Sequence, residues 1–157
     1  MNEVDHPSEV CSVARTVALF GDRWSFLILR DIGNRVSRFD ELIGHLGIAR
    51  DVLSRRLGTL VDHGLVAKRP YREAGRRERV EYRLTDAGRD FVPVLVALMS
   101  WGDEHLPGPG GAPVTLSHEG CGEPVGLELR CAAGHVVRPG REIRRELNAA
   151  AVAGAGV

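Results

Sequence analysis

Four side chains near the C-terminus, His118, Cys121, Cys131 and His135, follow the spacing H-x2-C-x9-C-x3-H. Paired nitrogen and sulfur ligands on two turns, joined by an intervening hairpin, are what a tetrahedral zinc ion needs. One ligand of each pair is a histidine, so the pattern is less specific than two CxxC knuckles. A second constellation lies in "ARDVLSRRLGTLVDHGLV", residues 49–66, where Arg50, Asp51, Ser54 and Arg55 cluster at the start of a helical pattern. Arginine can hold guanine through two hydrogen bonds, serine can serve any base, and aspartate can accept from cytosine. The plainer alternative is that Asp51 and Arg55 pair within the helix and that Asp51 caps its first-turn amides. A third group, Arg38, Lys68, Arg76, Arg77 and Arg79, suits phosphate or minor-groove contacts, which position a protein on a duplex without reading it. Some of these would be solvated spectators.

The helical period fixes which side of residues 49–63 is free. Leu53, Leu57, Leu60, Ala49 and Val61 fall on one side, Asp51, Ser54, Arg55, Gly58 and Asp62 on the other, and Arg50 and Arg56 flank the seam. His63-Gly64 stops the helix. Before it, "RVSRFDELIGHLG" offers Val36 as a short strand, Ser37 as an N-cap, and Phe39, Leu42, Ile43 and Leu46 as a buried face. Two short helices joined at Gly47-Ile48 form a helix-turn-helix arrangement. Two earlier helices divide at Gly21-Asp22: the first presents Val13, Val17 and Phe20 beside Ala14 and Ala18, and the second Trp24, Leu27, Ile28 and Ile32. Beyond Gly64 the period drops to two, so "LVAKRPY" and "RVEYRLT" read as strands joined by the arginine-rich loop "REAGRRE", a basic hairpin or wing. Thr85-Asp86 then caps a long helix carrying Phe91, Val94, Leu95, Leu98, Met99 and Trp101, with Pro93 expected to kink it.

Residues 1–106 are thus expected to form a winged helix-turn-helix domain, 107–113 ("PGPGGAP") a linker, 114–148 a small C-terminal extension and 149–157 a disordered tail. In the extension "VTLSHEGC" and "VGLELRC" alternate like the strands of a hairpin, and "REIRRELNAA" suggests a short helix. The fold class is mainly α with a small β-wing, α+β in the broad sense.

The 157 residues can bury one good core, and 43% apolar with 27% charged residues is ordinary for a globular protein. No apolar run is long enough to span a bilayer and no secretory leader is evident, so the expected location is cytoplasmic. Three cysteines argue against a secreted disulfide scaffold. The formal net charge is zero, but residues 35–83 hold twelve basic and seven acidic groups between acidic flanks, the footprint of a nucleic-acid-reading surface. Enzymatic signatures are missing: there is no P-loop, G-x-S-x-G or H-E-x-x-H, and no βαβ pattern for a dinucleotide fold. A winged helix that binds only proteins is the remaining alternative, and the arginine-rich wing argues against it.

The stretches "CSVARTVALFGDRWSFLILRDI", "SRFDELIGHLGIARDVLSRRLGTLVDHGLV", "VEYRLTDAGR" and "LMSWGDEH" resemble, in this order, the HxlR-type winged-helix transcription regulators, a branch close to the MarR family. The similarity covers residues 11 to about 105. It implies a homodimeric regulator of double-stranded DNA, more often a repressor, with an inverted-repeat operator. The N-terminal and last helices would form the dimer interface, helix 49–63 would enter the major groove, and the wing would reach the minor groove. No cofactor is expected to be required, and a small-molecule effector is left open. Ala49, Arg50 and Asp51 replace the family's usual Ser-Pro-basic start, so no operator sequence carries over, and "RRE" at 76–78 replaces the usual Pro-Pro of the wing. Cys11 sits where some members carry a redox-sensing cysteine. Arg15, one turn on, would favour its thiolate, whereas a cysteine that merely packs is the plain alternative. For the C-terminal Cys/His set, the alternative to zinc is a metal-free hairpin packed on the dimer.

Overall fold

The computed structural model describes residues 11–75, 77–138, 140–144 and 146. They divide into two compact units, one spanning Asp22–Thr115 and the other combining the residues up to Gly21 with those from Leu116 onward. The order of elements is α1 (Ser12–Phe20), α2 (Arg23–Gly33), α3 (Phe39–Leu46), α4 (Arg50–Asp62), β1 (Val66–Tyr71), β2 (Arg79–Leu84), α5 (Asp86–Asp90) and α6 (Val92–His105). This is the α+β winged-helix architecture expected from the sequence.

In the larger unit α2 is the central helix, packing on α3, α4, β2 and α6. It starts at Asp22, whose Oδ1 accepts from the amides of Trp24 (2.7 Å) and Ser25 (3.3 Å), satisfying two donors that the first turn leaves without helical partners. Ile28, Leu29 and Ile32 of α2 meet Leu42, Ile48, Leu53, Leu57, Leu60, Leu65 and Val66 in the core. One charge lies inside it: Asp31 is 1% exposed, accepts from Arg30 Nε and Nη2 on Oδ1 (2.9 and 2.7 Å), and lies 2.6 Å from His45 Nδ1 on Oδ2. A buried carboxylate persists only when paired in this way, and here the pairing ties the end of α3 to α2.

The N-cap of α3 is Arg38 and not Ser37. Ser37 is buried and lends its carbonyl to the Tyr82 amide (2.8 Å), while Arg38 bridges to Glu81, so a stub at 37–38, later than the strand expected at Val36, runs beside β2. Glu41 accepts from the Arg38 amide at 3.1 Å and so closes the start of the helix. Strands β1 and β2 pair antiparallel from Val66 opposite Leu84 to Tyr71 opposite Arg79. At the base of this hairpin Thr85 Oγ1 donates to the Gly64 carbonyl and accepts from the Gly88 amide, while the Thr85 amide donates to Leu65 (3.1 Å).

The single kinked helix expected after Thr85 is two helices. The first ends at Asp90, Phe91 intervenes, and Pro93 sits in the first turn of α6, where its missing N–H has no helical partner to lose. Phe91 packs on Phe26 of α2 with ring centroids 5.9 Å apart.

In the other unit, α1 ends at Gly21 in the left-handed conformation (φ 60°) with Phe20 buried. Among its described residues the extension contains no strand pair of the expected length. Two tight turns replace it, each closed by one isolated bridge, Ser117 to Pro124 and Arg130 to Val136. Hydrogen bonds from His118 to Glu123 (2.8 Å) and from Val125 to Leu116 (2.9 Å) flank the first bridge, so Pro124 takes a position whose amide the pairing does not use. The expected helix at 141–150 is also absent from its described part, where a turn closes on Arg138 and Glu142 accepts the Arg138 amide at 2.9 Å. A segment this short, with exposed side chains, lacks the packing that sustains most short helices. The tail at 149–157 lies outside the described residues.

Candidate nucleic-acid interface

Helix α4 is held by one seam and free on the other side. Leu53, Leu57 and Leu60 are at most 1% exposed, whereas Arg50, Asp51, Ser54 and Arg55 all lie open to solvent. The turn into the helix uses Gly47 at φ 61°, and Ala49 caps it without a side-chain hydrogen bond, so the first-turn amides carry no side-chain acceptor from their own cap. Among the described residues Asp51 and Arg55 form no ion pair with one another, and Arg55 forms none at all. Of the three arginines, Arg56 is the exception: it turns inward, with its side chain 24% exposed, to an ion pair with Asp22. Asp22 therefore caps α2 with one oxygen and anchors α4 with the other.

Arg50 is directed by α3. Its Nη1 lies 3.1 Å from Asp40 Oδ1 and its guanidinium 5.2 Å from the Phe39 ring centroid. Arg79 of the wing reaches the same carboxylate, 4.0 Å from Oδ2. The starts of α3, α4 and β2 thus converge on one exposed acid between two cations.

The hairpin register separates the other basic residues. Lys68 opposes Tyr82 and Arg79 opposes Tyr71, so alternation puts Lys68 and Arg79 on opposite faces. Lys68 is exposed, and burial raises the phenol pKa of Tyr82 beside it. Arg38 is engaged within the protein: its Nη1 is 2.8 Å from Glu73 Oε1 and its guanidinium 4.4 Å from the Tyr71 ring centroid. That geometry fastens the first turn of α3 to the wing. Arg77 lies exposed at the hairpin end, and Arg76 falls outside the described residues.

Cys11 is exposed and stands at the N-cap of α1. Arg15 donates from Nη2 to Ser12 Oγ (3.1 Å), so the cation expected to favour the Cys11 thiolate is directed at a hydroxyl. Of the C-terminal set, His118 Nδ1 lies 3.1 Å from Cys121 Sγ, and Cys131 opposes His135 next to the Arg130–Val136 bridge. Among the described residues no three His, Cys, Asp or Glu side chains gather as a metal-binding group, so the two pairs stand apart.

The spacing of residues along the chain did not reveal Asp40, Asp22, Tyr71 or Glu73 as partners, since their arginines lie on other elements. A signal was present for one of them, since Asp40 and Glu41 place acid in the first turn of α3, where the helix dipole favours it.

Comparison with known proteins agrees with this geometry. Residues 19–108 match the family model described as HxlR-like helix-turn-helix. The chain is 47% identical over 131 residues to an uncharacterized HTH-type transcriptional regulator, Rv3095, of Mycobacterium tuberculosis, covering 83% of this chain and 82% of that one. The crystal structure of PA1607, described as a candidate transcription factor, is similar with a TM-score of 0.75 and 38% identity, over 87% of this chain and 94% of that one. The redox regulator HypR in its reduced form gives a TM-score of 0.53 and 25% identity, over 60% and 92% respectively. No helix among the described residues is long and apolar enough to cross a membrane. Helix-turn-helix, wing, motif order and family match therefore agree: the chain belongs to the HxlR-like helix-turn-helix family of transcriptional regulators.

Proposed function

We propose that this regulator binds double-stranded DNA sequence-specifically, as a homodimer on an inverted repeat, and represses by occupying its operator. The observation that carries the reading is the outward face of α4, where Arg50, Asp51, Ser54 and Arg55 are exposed while the leucine seam behind them is closed. A helix so anchored presents rigid donors and acceptors of the size and spacing that the major groove accepts. Arg55 and Ser54 are the base readers, Arg50 and Asp51 flank them, and Arg77, Arg79 and Lys68 supply phosphate or minor-groove contacts from the wing. Arg38 serves by holding the wing in place. Release by a small-molecule or redox signal completes the proposal, the exposed Cys11 and the likeness to a redox regulator supporting the latter.

Sequencing DNA that co-purifies with the protein supplies the operator, and competition binding at several salt concentrations then tests the assignment. Arg55→Ala is expected to cost roughly 1–3 kcal/mol on the operator and to flatten preference at one base pair per half-site. Arg77→Ala is expected to weaken operator and random DNA alike, and to reduce the slope of log affinity against log salt by about one unit. An Arg55→Ala protein with unchanged preference, beside an Arg77→Ala protein altered in specificity alone, defeats the assignment. Protein that captures no DNA and shows no salt-dependent affinity for any duplex is instead a protein-interaction module.

A further inference from the structure

We propose that the C-terminal extension is a zinc-ordered module in which His118, Cys121, Cys131 and His135 of one chain hold a single zinc ion, which draws its two turns together. Three observations carry this. The first is that the extension has no core of its own. Every described residue from 117 to 146 other than Val137 is exposed, including Val125 (47%), Leu127 (49%), Leu129 (52%), Val136 (52%) and Ile143 (50%). A segment of this size without a core is ordinarily held by a disulfide, a metal or a partner surface, and both of its cysteines are free thiols.

The second observation is that each turn already assembles one sulfur and one nitrogen ligand. In the first, the amides of Cys121 and Gly122 both turn back to the His118 carbonyl (3.3 and 2.8 Å), and Gly122 takes φ 77°. His118 Nδ1 comes to 3.1 Å from Cys121 Sγ. Two ligands on one tetrahedral zinc, with bonds of about 2.0–2.3 Å, stand roughly 3.5 Å apart, so this pair needs little movement to chelate. In the second turn the Cys131 amide donates to the His135 carbonyl (3.0 Å) and Gly134 adopts φ 84°. Residues opposed in this way share one face of a hairpin with Cβ atoms about 5 Å apart.

The third is Gly120. A Cβ there would lie 2.9 Å from His118 Cε1, so the glycine makes room for the imidazole to fold over its own turn toward the thiol. Among the described residues no three of these ligands gather as one group, so the ion itself must draw the two pairs together, its binding free energy then being the folding free energy of the module.

The test uses the full chain, purified without chelator. About one zinc per chain is expected by elemental analysis, with loss of the metal in Cys121→Ser and in Cys131→Ser. Replacement by cobalt(II) should give an intense thiolate-to-metal absorption of tetrahedral type, about halved in any single-serine variant that still binds. Thermal melting of the winged domain, followed in the same variants, shows that metal loss does not reflect general unfolding. No zinc, even after incubation with zinc and desalting, overturns the proposal. Zinc retained in both serine variants overturns it also, and one zinc per two chains assigns the ligands to a shared site in place of this one.

Discussion

Asp40 is the residue at which the balance of forces on the proposed interface is set. Its carboxylate lies against Arg50 and Arg79, all three side chains being more than half exposed. Exposed pairs contribute at most about 1 kcal/mol to stability, so Asp40 matters less for holding the fold than for where two cations point and what charge they present. Removing its charge leaves both arginines for phosphate and takes away a repulsion of the duplex. Asp40→Asn should therefore tighten binding to operator and random DNA alike, by roughly two- to five-fold each, and steepen the salt slope by about one unit. Competition titrations check this, and weaker binding to both duplexes would mean that Asp40 orients Arg50 productively. The outward residues of α4 were legible in the sequence because the 3.6-residue period alone assigns them. The Asp40–Arg50 and Asp22–Arg56 pairs were not, because each joins residues on different helices and such proximity leaves no periodic trace.

At the scale of elements, the clasp between the wing and α5 depends on one missing side chain. A Cβ at Gly88 would stand 2.1 Å from the Leu65 carbonyl oxygen, a backbone atom that cannot swing aside. Gly88→Ala should destabilise the domain by about 1–3 kcal/mol, read as a lower midpoint in urea unfolding. Gly58 offers a control: it lies mid-helix in α4, where an added methyl would meet nothing within 4 Å, so Gly58→Ala should stabilise by about 0.5–1 kcal/mol. Equal shifts from the two substitutions would contradict this account of the clasp. Elements with a clear period and strong punctuation were legible: α1, α2, α4, β1 and β2 fall within a residue or two of expectation. Pro93 was read as a kink because its sequence neighbours are helical on both sides. It stands in the first turn of a new helix because, lacking an N–H, it cannot bond back to α5, while Phe91 between the two helices packs on Phe26 of α2. The extension misled in the opposite sense, since alternation specifies a strand only when one face has something to cover it.

For the whole molecule the informative quantity is the apolar surface left open. Val13 (70%) and Val17 (57%) on α1, and Val94 (43%), Leu98 (53%) and Trp101 (57%) on α6, remain exposed. A second copy is the proposed cover, since closed two-fold dimers are the commonest assemblies of soluble chains. Sedimentation at micromolar concentration should show a dimer, and Leu98→Glu with Trp101→Glu should shift it to monomer. Footprints should then fall on two half-sites roughly 10 base pairs, or a multiple of that, apart. A wild-type monomer, or protection of one asymmetric half-site, contradicts the dimer. The inward turn of Arg56 has a further consequence for how such a molecule changes its target. With Arg56 committed to Asp22, Arg50 to Asp40 and the leucines to the core, positions 51, 54 and 55 are the outward ones that can be exchanged without disturbing what fastens the helix. On the proposed reading, retargeting to a new operator would then be a matter of three side chains on an unchanged chassis, and chains sharing this anchor could diverge in the genes they address while keeping one fold.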